Sequence, residues 1–167
     1  MAPIKSRRHI SLIPLSREHQ YALLLCLRIH RGLPEHSGDQ GWLRVKGDNA
    51  VRFFESELAV HFQAEEQILF PAMNEISESS PIIDELLADH RRIRQLVTTL
   101  AEVDVGLLAT TLKEFADILE AHIRKEERVL FPIYEEQASP ETRLRVGNEI
   151  FALMGSGANP RHPELLE

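Results

Sequence analysis

Two His–Glu pairs in this sequence have the residue types and the spacing of a metal site. His61 lies four residues before Glu65, and His122 lies four residues before Glu126. A four-residue step in an α-helix returns to nearly the same face, so both members of a pair can reach one centre. The apolar stripe of the helix before each pair carries one further histidine. The predicted metal ligands are therefore His19, His61, Glu65, His90, His122 and Glu126.

The donor atoms of these residues indicate which metal would bind. Imidazole nitrogen and carboxylate oxygen without a thiolate favour iron, with zinc or manganese as alternatives. A buried carboxylate is unfavourable unless a cation or a close partner compensates its charge, and Glu65 and Glu126 both interrupt apolar stripes. If both carboxylates bridge two octahedral iron ions that an oxo or hydroxo group also joins, each ion keeps an open position. We expect a small ligand such as dioxygen or nitric oxide at that position.

Simpler structural roles compete with this interpretation. A single histidine in an apolar stripe is more often a core residue than a ligand, and a His–Glu pair four residues apart is common on exposed helices. The repetition of the pair in one register favours the metal site. Glu66 and Glu127 are expected to be solvated or paired with basic neighbours, and they are second-choice ligands. His9 precedes the first predicted helix and could supply an additional ligand from a folded-back arm.

An internal repeat predicts the architecture that positions these residues. Segment 61–71 aligns without a gap to segment 122–132, and the His, both Glu, the Leu, the Phe and the Pro coincide. Each copy follows a helix with one histidine in its apolar stripe, so the repeated unit is a helical hairpin. Two stacked hairpins predict an all-α protein, an up-down-up-down four-helix bundle.

Capping and helix-breaking residues predict where the helices begin and end. The first helix should begin at the Ser16 cap and stop at Gly32 and Pro34, with a loose loop up to about Gly47. Apolar residues at steps of three and four predict three further long helices. Their approximate ranges are 48–73, 80–101 and 107–137.

A shorter C-terminal helix completes the predicted fold. Ser139 is its expected cap, Pro140 its first residue, and Gly155 its end. The chain is expected to divide into an N-terminal arm at 1–15, the four-helix bundle at 16–137, and the short helix and tail at 138–167.

Composition excludes several classes of function. With 19 basic and 26 acidic residues the net charge is −7, the wrong sign for binding nucleic acid through its phosphates. The apolar runs are shorter than the ~18 residues that a membrane-spanning helix needs. The single cysteine, Cys26, cannot form an intramolecular disulfide and suits a reducing compartment. We therefore expect a cytoplasmic protein that contacts neither nucleic acid nor membrane.

The combined pattern resembles the hemerythrin-like family, also called the HHE cation-binding domain. The resemblance covers about residues 16–137. It is carried by Arg17-Glu18-His19, by His61 and Glu65, by Asp89-His90-Arg91, and by His122 and Glu126. The resemblance implies a four-helix bundle in which the six predicted ligands bind two iron ions, with Glu65 and Glu126 as bridges.

One departure from the family pattern bears on function. Oxygen-carrying hemerythrins place two histidines four apart on the third helix, whereas here Leu86 precedes His90 by four residues and Arg94 follows it by four. A centre without that fifth histidine should be more open than an oxygen carrier's and either more reactive or more exchangeable, which argues against reversible oxygen storage. The related iron–sulfur-cluster repair proteins carry a cysteine-bearing N-terminal segment that this sequence lacks.

Two classes of function follow from the resemblance. The first is a di-iron binding protein that binds or senses dioxygen or nitric oxide, or that handles iron, rather than an enzyme. The alternative is a di-iron enzyme acting on peroxide or nitric oxide, or an iron donor for cluster repair. A ferritin-like oxidase is disfavoured because no histidine in the sequence has a glutamate three residues before it.

Overall fold

A computed structural model of the chain describes residues 7–76 and 80–155, and every regular element in those two ranges is helical. We number its long helices α1 to α5. Their bounds are Ile13–His36 for α1, 40–76 for α2, Ser80–Glu102 for α3, 105–137 for α4 and Pro140–Met154 for α5. A short 3₁₀ turn, Ile10–Leu12, precedes α1, and wider π turns interrupt α2 at Phe54–Leu58 and Glu65–Leu69 and α4 at Glu126–Leu130.

Helices α1 to α4 form the predicted up-down-up-down bundle. Helix α1 packs against α4 and α2, while α3 packs against α2 and α4. Helix α5 lies outside the bundle, against the 3₁₀ turn, α1 and the second half of α2. The all-α prediction is confirmed. Within the described ranges, none of the helices combines the length and the apolar character that crossing a membrane requires.

The bundle has two separate apolar clusters, and the predicted ligands lie in the layer between them. We name each cluster after a fully buried aromatic residue. The Phe115 cluster includes Ala22, Phe53, Ile93, Phe115 and Leu119. The Tyr134 cluster includes Leu15, Met73, Leu86, Leu130 and Tyr134. Each of the four bundle helices therefore passes from one cluster to the other, and the polar layer is enclosed by apolar side chains on both sides.

The first connection differs from the sequence prediction. Helix α1 continues through both Gly32 and Pro34, and the predicted loop at 32–47 is wrong because Asp39 caps the start of α2. Pro34 removes one backbone hydrogen bond in the last turn of α1 without ending the helix. Gly32 lies against Trp42, whose ring would be 2.1 Å from an added Cβ. The glycine therefore permits close packing of α1 on α2 instead of ending α1.

The remaining boundaries agree closely with the sequence predictions. Helix α1 begins at Ile13 with Pro14 in its first turn, slightly before the predicted Ser16 cap. Ser139 caps α5 by accepting from the backbone of Thr142, and Gly155 follows the helix with a φ of 76°. Residues 1–6 of the predicted arm and 156–167 of the predicted tail lie outside the described residues. The division of the chain at residues 15 and 137 remains a prediction.

Candidate metal centre

A π turn begins at the glutamate of each His–Glu pair. These turns span Glu65–Leu69 and Glu126–Leu130. Pro71 lies two residues after the first turn, and Pro132 lies two residues after the second. A proline cannot donate a backbone hydrogen bond, and in an α-helix its ring clashes with the carbonyl four residues earlier. A π turn widens the helix just before that point, as is frequent at functional sites. The repeated sequence therefore gives both glutamates the same local backbone.

The first half of the site joins α1 to α2 and α4. The Nε2 atoms of His19 and His61 are 3.0 Å apart. Oε1 of Glu65 lies 2.9 Å from His61 Nε2, and Oε2 of Glu126 lies 3.1 Å from His19 Nε2. These four residues offer ligand atoms that all lie within 4.8 Å of one another.

The second half repeats this arrangement around α3 and α4. The Nε2 atoms of His90 and His122 are 3.2 Å apart. Oε2 of Glu65 lies 3.2 Å from His90 Nε2, and Oε1 of Glu126 lies 3.4 Å from His122 Nε2. Each glutamate thus directs one oxygen at each histidine pair. The structure brings all six residues predicted from the sequence together as two groups that share both glutamates.

Burial makes this arrangement unfavourable without a cation. The six side chains are at most 2% exposed. None of the four carboxylate oxygens of Glu65 and Glu126 has a hydrogen-bond partner. A buried carboxylate costs several kcal/mol unless a positive charge compensates it, so two of them with converging oxygens fit a metal centre. The nitrogen and oxygen donor set, with no thiolate, suits iron.

Without a metal ion, protons on His19 and His61 compensate for part of this charge, because the nearby carboxylates raise the pKa of both residues. Burial lowers the pKa of His61, but the carboxylates of Glu65 and Glu18 outweigh it and raise that pKa to about 9. Burial likewise opposes the charged form of Glu65, yet the adjacent histidines hold the pKa of Glu65 well below its usual range. A metal ion at this place has to displace those protons, because only the unprotonated imidazole is a ligand.

Four further acids lie next to the histidines on the outside of the centre. A carboxylate forms a hydrogen bond with Nδ1 of His19, His61 and His90, which fixes the ring and leaves the lone pair of Nε2 directed at the centre. Nδ1 of His122 faces Asp89 without a hydrogen bond. The Nδ1–O distances are 2.8 Å for His19 to Glu127, 3.0 Å for His61 to Glu18, 2.7 Å for His90 to Glu66, and 3.4 Å for His122 to Asp89. Carboxylate–histidine–metal arrangements of this kind are typical of metalloproteins.

These outer acids follow the twofold repeat, and the sequence prediction missed their role. Glu66 and Glu127 pair with arginines, as expected, but each also binds a histidine of the other hairpin. Glu18 and Asp89 bind the second histidine of their own hairpin. The sequence does contain one sign of this role, because an acid directly precedes the first histidine of each hairpin, Glu18 before His19 and Asp89 before His90.

Other candidate residues lie away from the centre. His9 is hydrogen-bonded to Ser11 and belongs to neither group, so it is not brought to the site. His30 is partly exposed and contacts Asp117. Cys26 is buried in the Phe115 cluster, and this burial raises the pKa of its thiol to about 12.

Comparison with known families agrees with this geometry. The sequence model of the hemerythrin HHE cation-binding domain matches residues 14–138. The chain belongs to that family. The matched region of the hemerythrin HHE domain contains all six residues of the two groups. The curated proteins and the solved structures that were compared with the chain gave no match. Family and geometry together indicate a metal-binding domain.

Proposed function

We propose that the chain holds two iron ions and uses them to bind or sense a small ligand such as dioxygen or nitric oxide. His19 and His61 would hold one ion, and His90 and His122 would hold the other. Glu65 and Glu126 would each offer one oxygen to each ion. The observation that supports this most directly is the set of four buried carboxylate oxygens without a hydrogen-bond partner.

The protein contributes binding, orientation and exclusion of water. The four outer acids hold the imidazole rings, and the Phe115 and Tyr134 clusters separate the polar layer from solvent along the bundle. A bound di-iron centre supplies redox-active metal with affinity for dioxygen and nitric oxide. Each group offers two histidines and two carboxylate oxygens, which would leave positions on an octahedral ion free for a small exogenous ligand.

Metal content tests the proposal directly. The purified chain is reconstituted anaerobically with Fe(II), freed of excess metal, and analysed for iron, zinc and manganese. We expect two iron ions per chain for the unaltered protein and a clear loss in His61→Gln. His30→Gln is the matched control, since His30 is a partly exposed histidine outside both groups. Less than one iron per chain after reconstitution would refute the proposal.

Ligand binding separates the proposed role from enzymatic alternatives. Stopped-flow spectra of the iron-loaded protein are recorded after mixing with dioxygen, nitric oxide or peroxide. A stable, stoichiometric spectral change with dioxygen or nitric oxide supports a binding or sensing role. Sustained consumption of peroxide or nitric oxide over many turnovers supports a di-iron enzyme, and transfer of iron to an acceptor supports an iron donor.

A further inference from the structure

Two arginines reach the outer acids, one on each half of the site. Arg8 lies 2.5 Å from Oε2 of Glu127, whose other oxygen accepts from His19. Arg94 lies 2.8 Å from Oε1 of Glu66, and the same oxygen accepts from His90. Each half therefore contains a chain of arginine, carboxylate and histidine that ends at the centre.

Each arginine also contacts its histidine through an aromatic ring. The guanidinium of Arg8 lies 5.0 Å from the centre of the Phe131 ring, which stacks on His19 at 5.5 Å and 13°. Arg94 lies 5.4 Å from the centre of the Phe62 ring, which stacks on His90 at 3.7 Å and 14°. Cation–π contacts of this type hold a guanidinium and a ring in a fixed relation.

The two arginines come from unrelated parts of the chain. Arg94 lies on α3 four residues after His90, and the residue at the equivalent position after His19 is Leu23. Helix α1 thus has no arginine at the position that corresponds to Arg94. Arg8 supplies it from the segment before α1, outside the region that the family model matches.

Further contacts hold Arg8 in this place. Its guanidinium donates to Glu135 at 2.8 Å and to Ser16 at 3.2 Å. The backbone N–H of His9 donates to the same glutamate at 2.7 Å. The arm is therefore attached to both α1 and α4, and Arg8 is fixed from several sides.

We propose that Arg8 and Arg94 are positioning residues, each for one half of the di-iron centre. This inference rests on the proposed function. Each guanidinium compensates the charge of an outer carboxylate and fixes its orientation, so the carboxylate in turn fixes the imidazole plane. The planar guanidinium also lies over the phenyl ring beside that imidazole, and lysine does not reproduce its planar shape. The segment before α1, outside the region that the family model matches, thereby contributes to the centre through Arg8.

The test compares iron retention and iron spectra in matched variants. Unaltered protein, Arg8→Gln, Arg94→Gln and Arg8→Lys are loaded with ⁵⁷Fe(II), and their Mössbauer spectra and iron transfer to a chelator are measured. Arg145→Gln is the control, because Arg145 pairs with Glu75 at 3.0 Å on the surface and contacts no part of the centre. Circular dichroism of the metal-free variants checks that each one folds.

We expect each Gln variant to release one of its two ions faster than the unaltered protein does. Losing an outer partner of a ligand weakens metal binding by about 10- to 100-fold, and we expect about 10-fold here because the arginines act through the carboxylates. Arg8→Gln and Arg94→Gln should perturb different iron environments in the Mössbauer spectrum. Arg8→Lys keeps the charge and should be intermediate.

The outcomes distinguish this inference from the proposed function. If the unaltered protein does not hold two iron ions, the proposed function fails. If it does, and Arg8→Gln and Arg94→Gln release iron as Arg145→Gln does, the positioning roles are refuted. Equal perturbation of both iron environments by Arg8→Gln would also refute them, because it would show a general loosening of the bundle.

Discussion

Replacing Glu65 by leucine should remove the effect of iron on thermal stability. Glu65 directs one oxygen at each histidine pair, so its loss affects both proposed ions. Leucine has a similar volume and suits a fully buried position between apolar clusters. Removing one partner of a buried charge pair costs about 3–5 kcal/mol, and Glu65 is the carboxylate that raises the pKa of His61. The metal-free variant should therefore unfold at a lower temperature than the unaltered protein, and the effect of iron is measured for each protein against its own metal-free state.

The size of the iron-dependent Tm shift can be calculated from two metal ions bound per chain. A ligand at 100 times its Kd stabilises the folded state by about 2.7 kcal/mol, so two ions contribute about 5.4 kcal/mol. For a chain of this size, 1 kcal/mol shifts the Tm by about 2–4 °C. Iron should then raise the Tm of the unaltered protein by roughly 11–22 °C. His61→Gln, which alters one group only, should retain roughly half of that shift, and Glu65→Leu almost none.

The assay is thermal unfolding followed by circular dichroism under anaerobic conditions, with Fe(II) or with chelator. Glu136→Leu is the control, since Glu136 is exposed on α4 and belongs to neither group. A full iron-dependent shift in Glu65→Leu would refute the bridging role. Loss of the shift in Glu136→Leu would show that the assay reports a general effect of the substitution.

Three further predictions concern other parts of the molecule. Glu18→Gln and Asp89→Asn should each weaken Fe(II) binding by about 10- to 100-fold in titrations, since each removes the negative charge that faces a histidine Nδ1. Cys26 should not react with a thiol reagent at pH 8 until the chain is unfolded, because burial raises its pKa to about 12. Reaction in the folded state would contradict that burial. Gly32→Ala should lower stability by about 1–3 kcal/mol in denaturant titrations, since the new methyl group overlaps Trp42.

The sequence alone was enough to predict which ligand residues share a face of a single helix. The positions of His61 and Glu65 in one apolar stripe, and their repeat at His122 and Glu126, required only the geometry of an α-helix. His19 and His90 needed the additional inference that two hairpins stack. The structure brings all six residues together because that stacking follows from the apolar stripes themselves.

Contacts between hairpins could not be predicted in the same way. The sequence indicates that Glu66 points away from the face of His61, but not that His90 lies in that direction. Arg8 is separated from Glu127 by more than a hundred residues, and no periodic pattern connects them. The predicted end of α1 was wrong for a related reason, since the role of Gly32 depends on Trp42 from the next helix.

The shared glutamates have a consequence for how such a centre could arise. Each group takes three residues from one hairpin and the remaining glutamate from the other. Two identical hairpins related by a twofold axis would offer the same six ligands, so duplication and fusion of one hairpin gene would preserve the centre intact. The two hairpins of the present chain are no longer equivalent at every position. Phe62 of the first hairpin stacks on His90, whereas the matching residue of the second hairpin is Ile123, which has no aromatic ring.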